Sequence, residues 1–339
     1  MNNRSLQPGT IFHKQRYRIE RVLGEGGFGV TYMVTDFKLG KISAMKEYMP
    51  MEIAYRRPGS MEVLPTQGNE KPYEQFRDKF LEEARIIHKF EDHPNIISVY
   101  HLFYDNNTAY YAMEFIDGMD LCKYQERNGQ PLGWDVLKPI VGQVIKALQA
   151  VHSSGVIHCD ISPDNIMLVG QESQERMFLI DYNSARELGS RSSSYLSCKA
   201  GYSPPELTTG NVNAFGFSSD LYSVAAVFYR CVMGRKLDLA ETLRSKAPNV
   251  QESPLLKDSP QTVVKMVEAI LKKGLHTLHP RRYQSIGQMR QAFGELLDRI
   301  DCVGVTGRAS LCTAPSLLGI DMTNVPMKRA EVVEGPIFE

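Results

Sequence analysis

Along the first hundred residues apolar and polar side chains alternate in short runs, 17–23, 30–35 and 42–47, with turn residues between them. A period of two predicts strands. The period then lengthens, with Phe76, Phe80, Ala84 and Ile87 recurring at helical spacing, so a small antiparallel sheet with one main helix is expected. Two more β-like runs, 96–103 and 108–115, follow His93-Pro94, and Asp117-Gly118 then gives a turn signal that marks a junction. Beyond Trp134 the pattern is mainly helical, over 136–152, 219–233, 262–273 and 285–300, interrupted by short apolar runs at 166–169 and 177–180. The expected class is therefore α+β, with a sheet-rich unit at 11–116, a larger mainly helical unit at 117–300 and a tail at 301–339.

Two stretches resist this reading. Residues 49–72 are rich in Pro, Gly and charge and are longer than an ordinary connection, which predicts a surface insertion. Residues 302–339 keep no sustained period and are expected to be a tail, either loose or docked on the body.

Composition narrows the partners. Lys plus Arg and Asp plus Glu both number 39, so no net field draws the chain onto nucleic acid or an acidic membrane. The six cysteines (Cys122, Cys159, Cys198, Cys231, Cys302 and Cys312) never form C-x-x-C, and their wide spacing fits reduced thiols in a cytoplasm better than zinc or a disulfide framework. The first twelve residues lack the apolar core of a signal peptide, and no run approaches a membrane span. A protein without membrane insertion is expected, and nothing in the sequence specifies an oligomeric state.

The candidate chemistry begins at Gly24-Glu25-Gly26-Gly27-Phe28-Gly29-Val30, between two β-like runs. Its glycines let a hairpin backbone lie close over phosphates, although a glycine-rich hairpin without a ligand is also common. Ala44-Met45-Lys46-Glu47 then sets a lysine in an otherwise apolar strand, which is costly unless an anion pairs with it. Glu83, between Phe80 and Ile87 on the apolar stripe of the predicted helix, can supply that charge, or can be half of a solvated Glu82-Glu83 pair. The most specific segment is His158-Cys159-Asp160-Ile161-Ser162-Pro163-Asp164-Asn165, followed by Asp181-Tyr182-Asn183 after an apolar run.

These motifs resemble the protein kinase family, especially its bacterial Ser/Thr members, which share a K-E-Y-x-P run like 46–50; the likeness spans about 11–300. It implies a bilobal fold that moves the γ-phosphoryl of ATP to a protein hydroxyl. By the resemblance Asp160 orients the substrate hydroxyl and accepts its proton, Lys46 and Glu83 form the ATP-side pair, and Asn165 and Asp181 hold Mg2+. The nucleotide would lie against Gly24, Gly26, Gly27, Gly29, Val30, Ala44 and Met167, with adenine at the backbone of the 112–116 run, including Glu114 and Ile116, Met113 guarding the inner pocket and the ribose near Asp120. Gly201-Tyr202-Ser203-Pro204-Pro205-Glu206 resembles the segment that anchors the substrate-binding loop, with Arg282 as partner of Glu206. Asp220 resembles the aspartate that props the catalytic loop, although an ordinary helix cap explains it too.

Three positions depart from the family pattern: Cys159 stands for an arginine, Ser162 for a lysine and Asn183 for a glycine. Without that arginine, phosphorylation at Ser192, Ser193, Ser194 or Ser197 is not needed to order the activation segment. Lys199 falls where the family has a threonine, so lysine and hydroxyl have exchanged places, with Lys199 supplying positive charge beside Asp160. Asn183 is expected to tolerate a left-handed backbone and to narrow the range of Asp181. Two alternatives remain open: a pseudokinase scaffold that binds nucleotide or a partner protein with little catalysis, and a kinase for small molecules.

Overall fold

The structure, a computed structural model, describes residues 4–129, 131–170, 176–189, 198–211, 214–238 and 249–304, except the side chain of Glu83. Its described residues form two compact units, one reaching Asp92 and including Ile97–Asp117, the other comprising His93–Ile96 and the chain from Gly118.

The first unit is built on a six-stranded antiparallel sheet. Its strands are β1 (Ile11–Phe12), β2 (Tyr17–Glu25), β3 (Gly29–Asp36), β4 (Lys41–Tyr48), β7 (Val99–Asp105) and β8 (Thr108–Glu114), in the spatial order β1-β2-β3-β4-β8-β7. Successive side chains of a strand face opposite ways, and both faces of this sheet are covered. Tyr111 meets Phe80 of helix α1 (Glu70–His88) at 5.0 Å between ring centroids, while its neighbour Tyr110 meets Phe12 at 5.1 Å. Phe80, Leu81, Ala84 and Ile87 of α1 are buried, and each large apolar side chain so covered contributes about 1.5–3 kcal/mol. The 49–72 stretch is not merely a surface insertion. It contains a small hairpin, β5 (Ala54–Arg56) with β6 (Val63–Pro65), and α1 already starts at Glu70, with Pro72 in the first turn where a missing N–H is harmless.

The second unit is mainly helical: α2 (Leu121–Asn128), α3 (Trp134–Ser153), α4 (Pro205–Thr208), α5 (Phe217–Met233), α6 (Gln261–Gly274) and α7 (Ile286–Val303). Helix α5 is buried along nearly its whole length and packs against α3, α6 and α7; Phe228 meets Phe293 of α7 edge to face at 4.8 Å. Short strands carry the polar residues: β9 (Met119–Asp120), β11 (Ile166–Val169) and β12 (Arg176–Leu179) form one sheet, and β10 (Val156–Ile157) pairs with β13 (Arg186–Glu187). Helix α2 was not expected from the sequence. It is short, and only Leu121, Tyr124 and Gln125 of it are buried. Helix α7 runs to Val303, into the segment expected to be tail, and residues 305–339 of that tail, with Cys312, lie outside the described residues. Among the described residues no helix is long and apolar enough to cross a membrane, and all five described cysteines are free thiols.

Candidate active site

The loop between β10 and β11 is shaped by a carboxylate from another element. Asp220, in the first turns of α5 and 1% exposed, accepts the His158 N–H at 2.8 Å and the Cys159 N–H at 2.9 Å, and lies 2.9 Å from His152 Nε2. It is a prop for this loop rather than a helix cap. Two successive amides aimed at one carboxylate require a sharp local turn, and Cys159 takes it up with φ +61°. A left-handed non-glycine residue costs about 1–3 kcal/mol and persists only where its surroundings over-determine it; the two hydrogen bonds to Asp220 do so. The Cys159 side chain packs with Ile157 and Leu207, flanked by Phe215 and Phe217, and burial pushes its thiol up. The position that differs from the family arginine is thus part of an apolar cluster.

This turn presents Asp160, 8% exposed. Burial raises its carboxyl to about 7, against the opposing pull of Lys199 and with the charge of Asp181 adding to the rise. The Lys199 ammonium donates to Ser162 Oγ at 2.9 Å and to Asp164 Oδ2 at 2.6 Å and stands 3.4 Å from Asp160 Oδ2. Burial would raise the Asp164 carboxyl, but its hydrogen bond and charge contact with Lys199 hold it below its ordinary value. Five residues after Asp160, Asn165 ends a single 3-10 turn (Pro163–Asn165) and its Nδ2 donates to the Asp160 carbonyl at 2.8 Å. That bond directs the amide oxygen the other way. The Asn165 carbonyl accepts the Ile180 N–H at 3.0 Å, which ties the loop to the residue before Asp181. An amide oxygen and a carboxylate are hard donors of the kind a small divalent cation takes together with phosphate oxygens. Among the described residues no group of three His, Cys, Asp or Glu could hold a metal alone.

Asp181 has φ +60°, whereas Asn183 is not among the positive-φ residues. The left-handed backbone that Asn183 could tolerate is instead taken by Asp181, whose Oδ1 accepts the Asn183 N–H at 3.4 Å. Tyr182 between them is fully buried, its ring 4.4 Å from that of His158, and burial lowers the His158 pKa, favouring its neutral form. Nearby, Glu206 and Arg282 form a two-armed ion pair at 2.7 and 2.8 Å, both nearly inaccessible, with Ser219 Oγ donating to Glu206 at 2.8 Å. The remaining guanidinium protons reach the carbonyls of His276, Thr277 and Ser218 at 2.6, 3.0 and 3.5 Å. Such full satisfaction is what lets a buried ion pair persist.

In the first unit Gly24 and Val30 pair across the β2–β3 hairpin with Thr31 and Glu25, and the Gly26 N–H donates to the Gly29 carbonyl at 2.9 Å. A Cβ at Gly29 would lie 2.2 Å from the Glu47 carbonyl oxygen, so the β3–β4 approach itself requires glycine there. Gly27 belongs to the same turn. Lys46 is buried at the sheet centre, opposite Thr31 on one side and Tyr111 on the other, and Ala44 is opposite Met113. Glu114 ends β8, and Ile116 follows it. Glu83 lies in the middle of α1, its side chain outside the described residues. In the second unit Asp120 is opposite Met167, and the Asp120 carboxylate caps α2, accepting Lys123 N–H at 2.8 Å and pairing with Lys123 Nζ at 2.8 Å. Ser192, Ser193, Ser194 and Ser197 lie outside the described residues.

One group was missed by sequence reasoning. Glu47, next to Lys46, is completely buried and accepts the hydroxyls of Tyr32 and Tyr110, each at 2.6 Å, and the Arg56 guanidinium at 2.6 Å. The signal was the period of two, which puts Glu47 on the face of Met45 and so demands donors there.

Known proteins resemble this chain in sequence and fold. Residues 17–293 match the protein kinase domain model. The chain is 27% identical over 287 residues to the Serine/threonine-protein kinase PknA of a Nostoc species, covering 82% of this chain and 46% of that protein. It is 28% identical over 295 residues to PknJ of Mycobacterium tuberculosis, covering 85% and 46%, and 28% identical over 279 residues to PrkC of Bacillus subtilis, covering 81% and 39%. It thus spans half or less of the length of these curated relatives. Among solved structures, PpkA-294 in its apo form superposes with a TM-score of 0.68 at 28% identity, covering 87% of this chain and 99% of that one. The PknI kinase domain of Mycobacterium tuberculosis superposes at 0.60 and 21% identity, covering 86% and 99%, a likeness of fold. With the family model matched over most of its length, and with a loop, a prop and an ion pair that suit it, the chain belongs to the protein kinase domain family.

Proposed function

We propose that the chain is a Ser/Thr protein kinase that transfers the γ-phosphoryl group of ATP to a hydroxyl of a protein substrate, and that it acts in the cytoplasm, where ATP and reduced thiols coexist. The observation that carries this reading is the buried Asp160 carboxylate, raised to about 7 and backed by the Lys199 ammonium at 3.4 Å. A base poised near working pH suits a hydroxyl nucleophile. Asp160 accepts the hydrogen bond of the substrate hydroxyl and takes its proton as the new O–P bond forms, while the bond to the β,γ-bridging oxygen breaks and ADP leaves. Lys199 keeps positive charge beside the transferring group, in place of the lysine that Ser162 replaces. Asn165 and Asp181 would hold Mg2+, which when bound neutralises phosphate charge and aligns the transferring group. Lys46, Glu83 and the glycine hairpin would serve the phosphates, and Ala44, Met113, Glu114, Ile116, Asp120 and Met167 would serve the nucleoside. The zero net charge argues against a nucleic-acid partner.

The test is transfer of labelled γ-phosphate from Mg-ATP to the chain itself and to a generic basic protein. Wild type is expected to transfer and Asp160→Asn to lose about 10²–10⁴-fold, the range of a general base. Equal transfer by both proteins, or none by wild type, would reject the proposal.

A further inference from the structure

The glycine hairpin of the first unit is tied down by side chains that no phosphate-handling motif contains. Arg4 Nη2 donates to the Gly26 carbonyl at 3.0 Å and to the Met49 carbonyl at 2.6 Å, and its Nη1 stands 3.8 Å from Glu25. One guanidinium thus joins the hairpin turn to the chain leaving β4, three residues after Lys46. Arg4 is itself placed by Arg56, whose Nε donates to the Arg4 carbonyl at 2.8 Å and whose Nη2 pairs with the buried Glu47 at 2.6 Å. The Leu6 N–H adds a second hold, donating to the Tyr32 hydroxyl at 3.0 Å, and that hydroxyl in turn donates to Glu47 at 2.6 Å. The backbone continues the clamp: Met49 N–H reaches the Phe28 carbonyl at 3.0 Å and Met51 N–H the Gly27 carbonyl at 2.8 Å.

A glycine-rich turn has more conformational freedom to lose than any other sequence. A hairpin that must be ordered when a triphosphate arrives bears that cost in affinity, whereas one already fixed does not. We propose that Arg4, set by Arg56 and Glu47, is a positioning residue that holds the glycine hairpin in its phosphate-binding conformation before ATP arrives. The segment 49–72 then has a task, because its β5 strand supplies the arginine that sets Arg4. This inference rests on the reading of the chain as an ATP-dependent kinase and concerns nucleotide affinity, not the transfer step.

The test compares wild type, Arg4→Ala and Arg4→Lys as full chains. Arg4→Ala is expected to raise KM for ATP about fivefold to tenfold with kcat within about twofold, since only preorganisation is lost. In the nucleotide-free protein the amides of Gly26, Met49 and Met51 are expected to exchange with deuterium about tenfold faster, with slower exchange partly restored in Arg4→Lys. An unchanged KM for ATP, a fall in kcat alone, or unchanged exchange of those amides would overturn the proposal. If wild type transfers no phosphate, the kinase reading fails on its own, and amide exchange, which needs no turnover, decides the bracing of the hairpin.

Discussion

In the loop after β10, Asp220 reaches back 61 and 62 residues to hold two amides, and Lys199 reaches back 37 to Ser162; in the glycine hairpin, the nearest constraints are backbone bonds to residues 49–51 with Arg4 laid across them. The loop is fixed by buried charges whose loss leaves unpaired groups in the core. The hairpin is fixed by ladder bonds and a partly exposed guanidinium, each replaceable by water at small cost. The contrast follows from the chemistry assigned to each. A base must sit within tenths of an ångström of a proton, whereas a phosphate cradle tolerates adjustment. Substitutions in the loop's support should therefore cost stability or turnover, and those around the hairpin mainly affinity.

The strongest way to break the comparison is to remove a buried charge of the second unit away from the chemistry. Arg282→Met leaves Glu206 buried with Ser219 as its one remaining side-chain donor among the described residues. Removing one partner of a buried pair costs about 3–5 kcal/mol, so a large fall in melting temperature is expected, read by calorimetry. A variant as stable as wild type would show that the second unit does not depend on this pair.

A smaller effect is expected at Lys199, whose removal takes away charge but no packing core. Lys199→Met should lower kcat about 10²-fold, the scale of one electrostatic donor at a reacting group. It should also move the acid limb of the pH–rate profile to higher pH, because Lys199 opposes the rise of the Asp160 carboxyl. Intact turnover would mean that Lys199 only bridges Asp164 and that the exchange with Ser162 has no role in catalysis.

What the sequence disclosed follows the same division. The 158–165 segment stood out because residue types and spacing combine within one loop, and the Glu206–Arg282 pair was legible because each residue stands in a recognisable segment. The Glu47 network was not, since Tyr32 and Tyr110 reach it through the pairing of β3 and β8 with β4 and Arg56 through the separate β5–β6 hairpin, and no local pattern announces a tyrosine as a donor. Helix α2 escaped because a short helix with three buried residues leaves little period to read. Asn183 is a residue that tolerates a left-handed backbone, as the glycine of the motif does, but the positive φ sits at Asp181. Substituting residue for residue along a motif carries over the side chains but not the dihedrals.

The smallest effect separates the burial of Asp160 from its chemistry. Its carboxyl is raised from 3.8 to about 7 in the folded chain, burial being the main cause. Between those values the native state binds more protons than the unfolded state, so the contribution of this group to stability is full below about pH 4 and is lost as pH rises through about 7. Asp160→Asn, neutral at every pH, escapes that loss. Its melting temperature should match wild type near pH 4 and exceed it by a few degrees at pH 8, the difference growing across the window. A gap independent of pH would mean that Asp160 is already ionised at no cost in the folded state, held by Lys199 rather than opposed by burial. The base would then be an ordinary carboxylate, and the acid limb of the wild-type rate profile should fall near pH 4 instead of near 7.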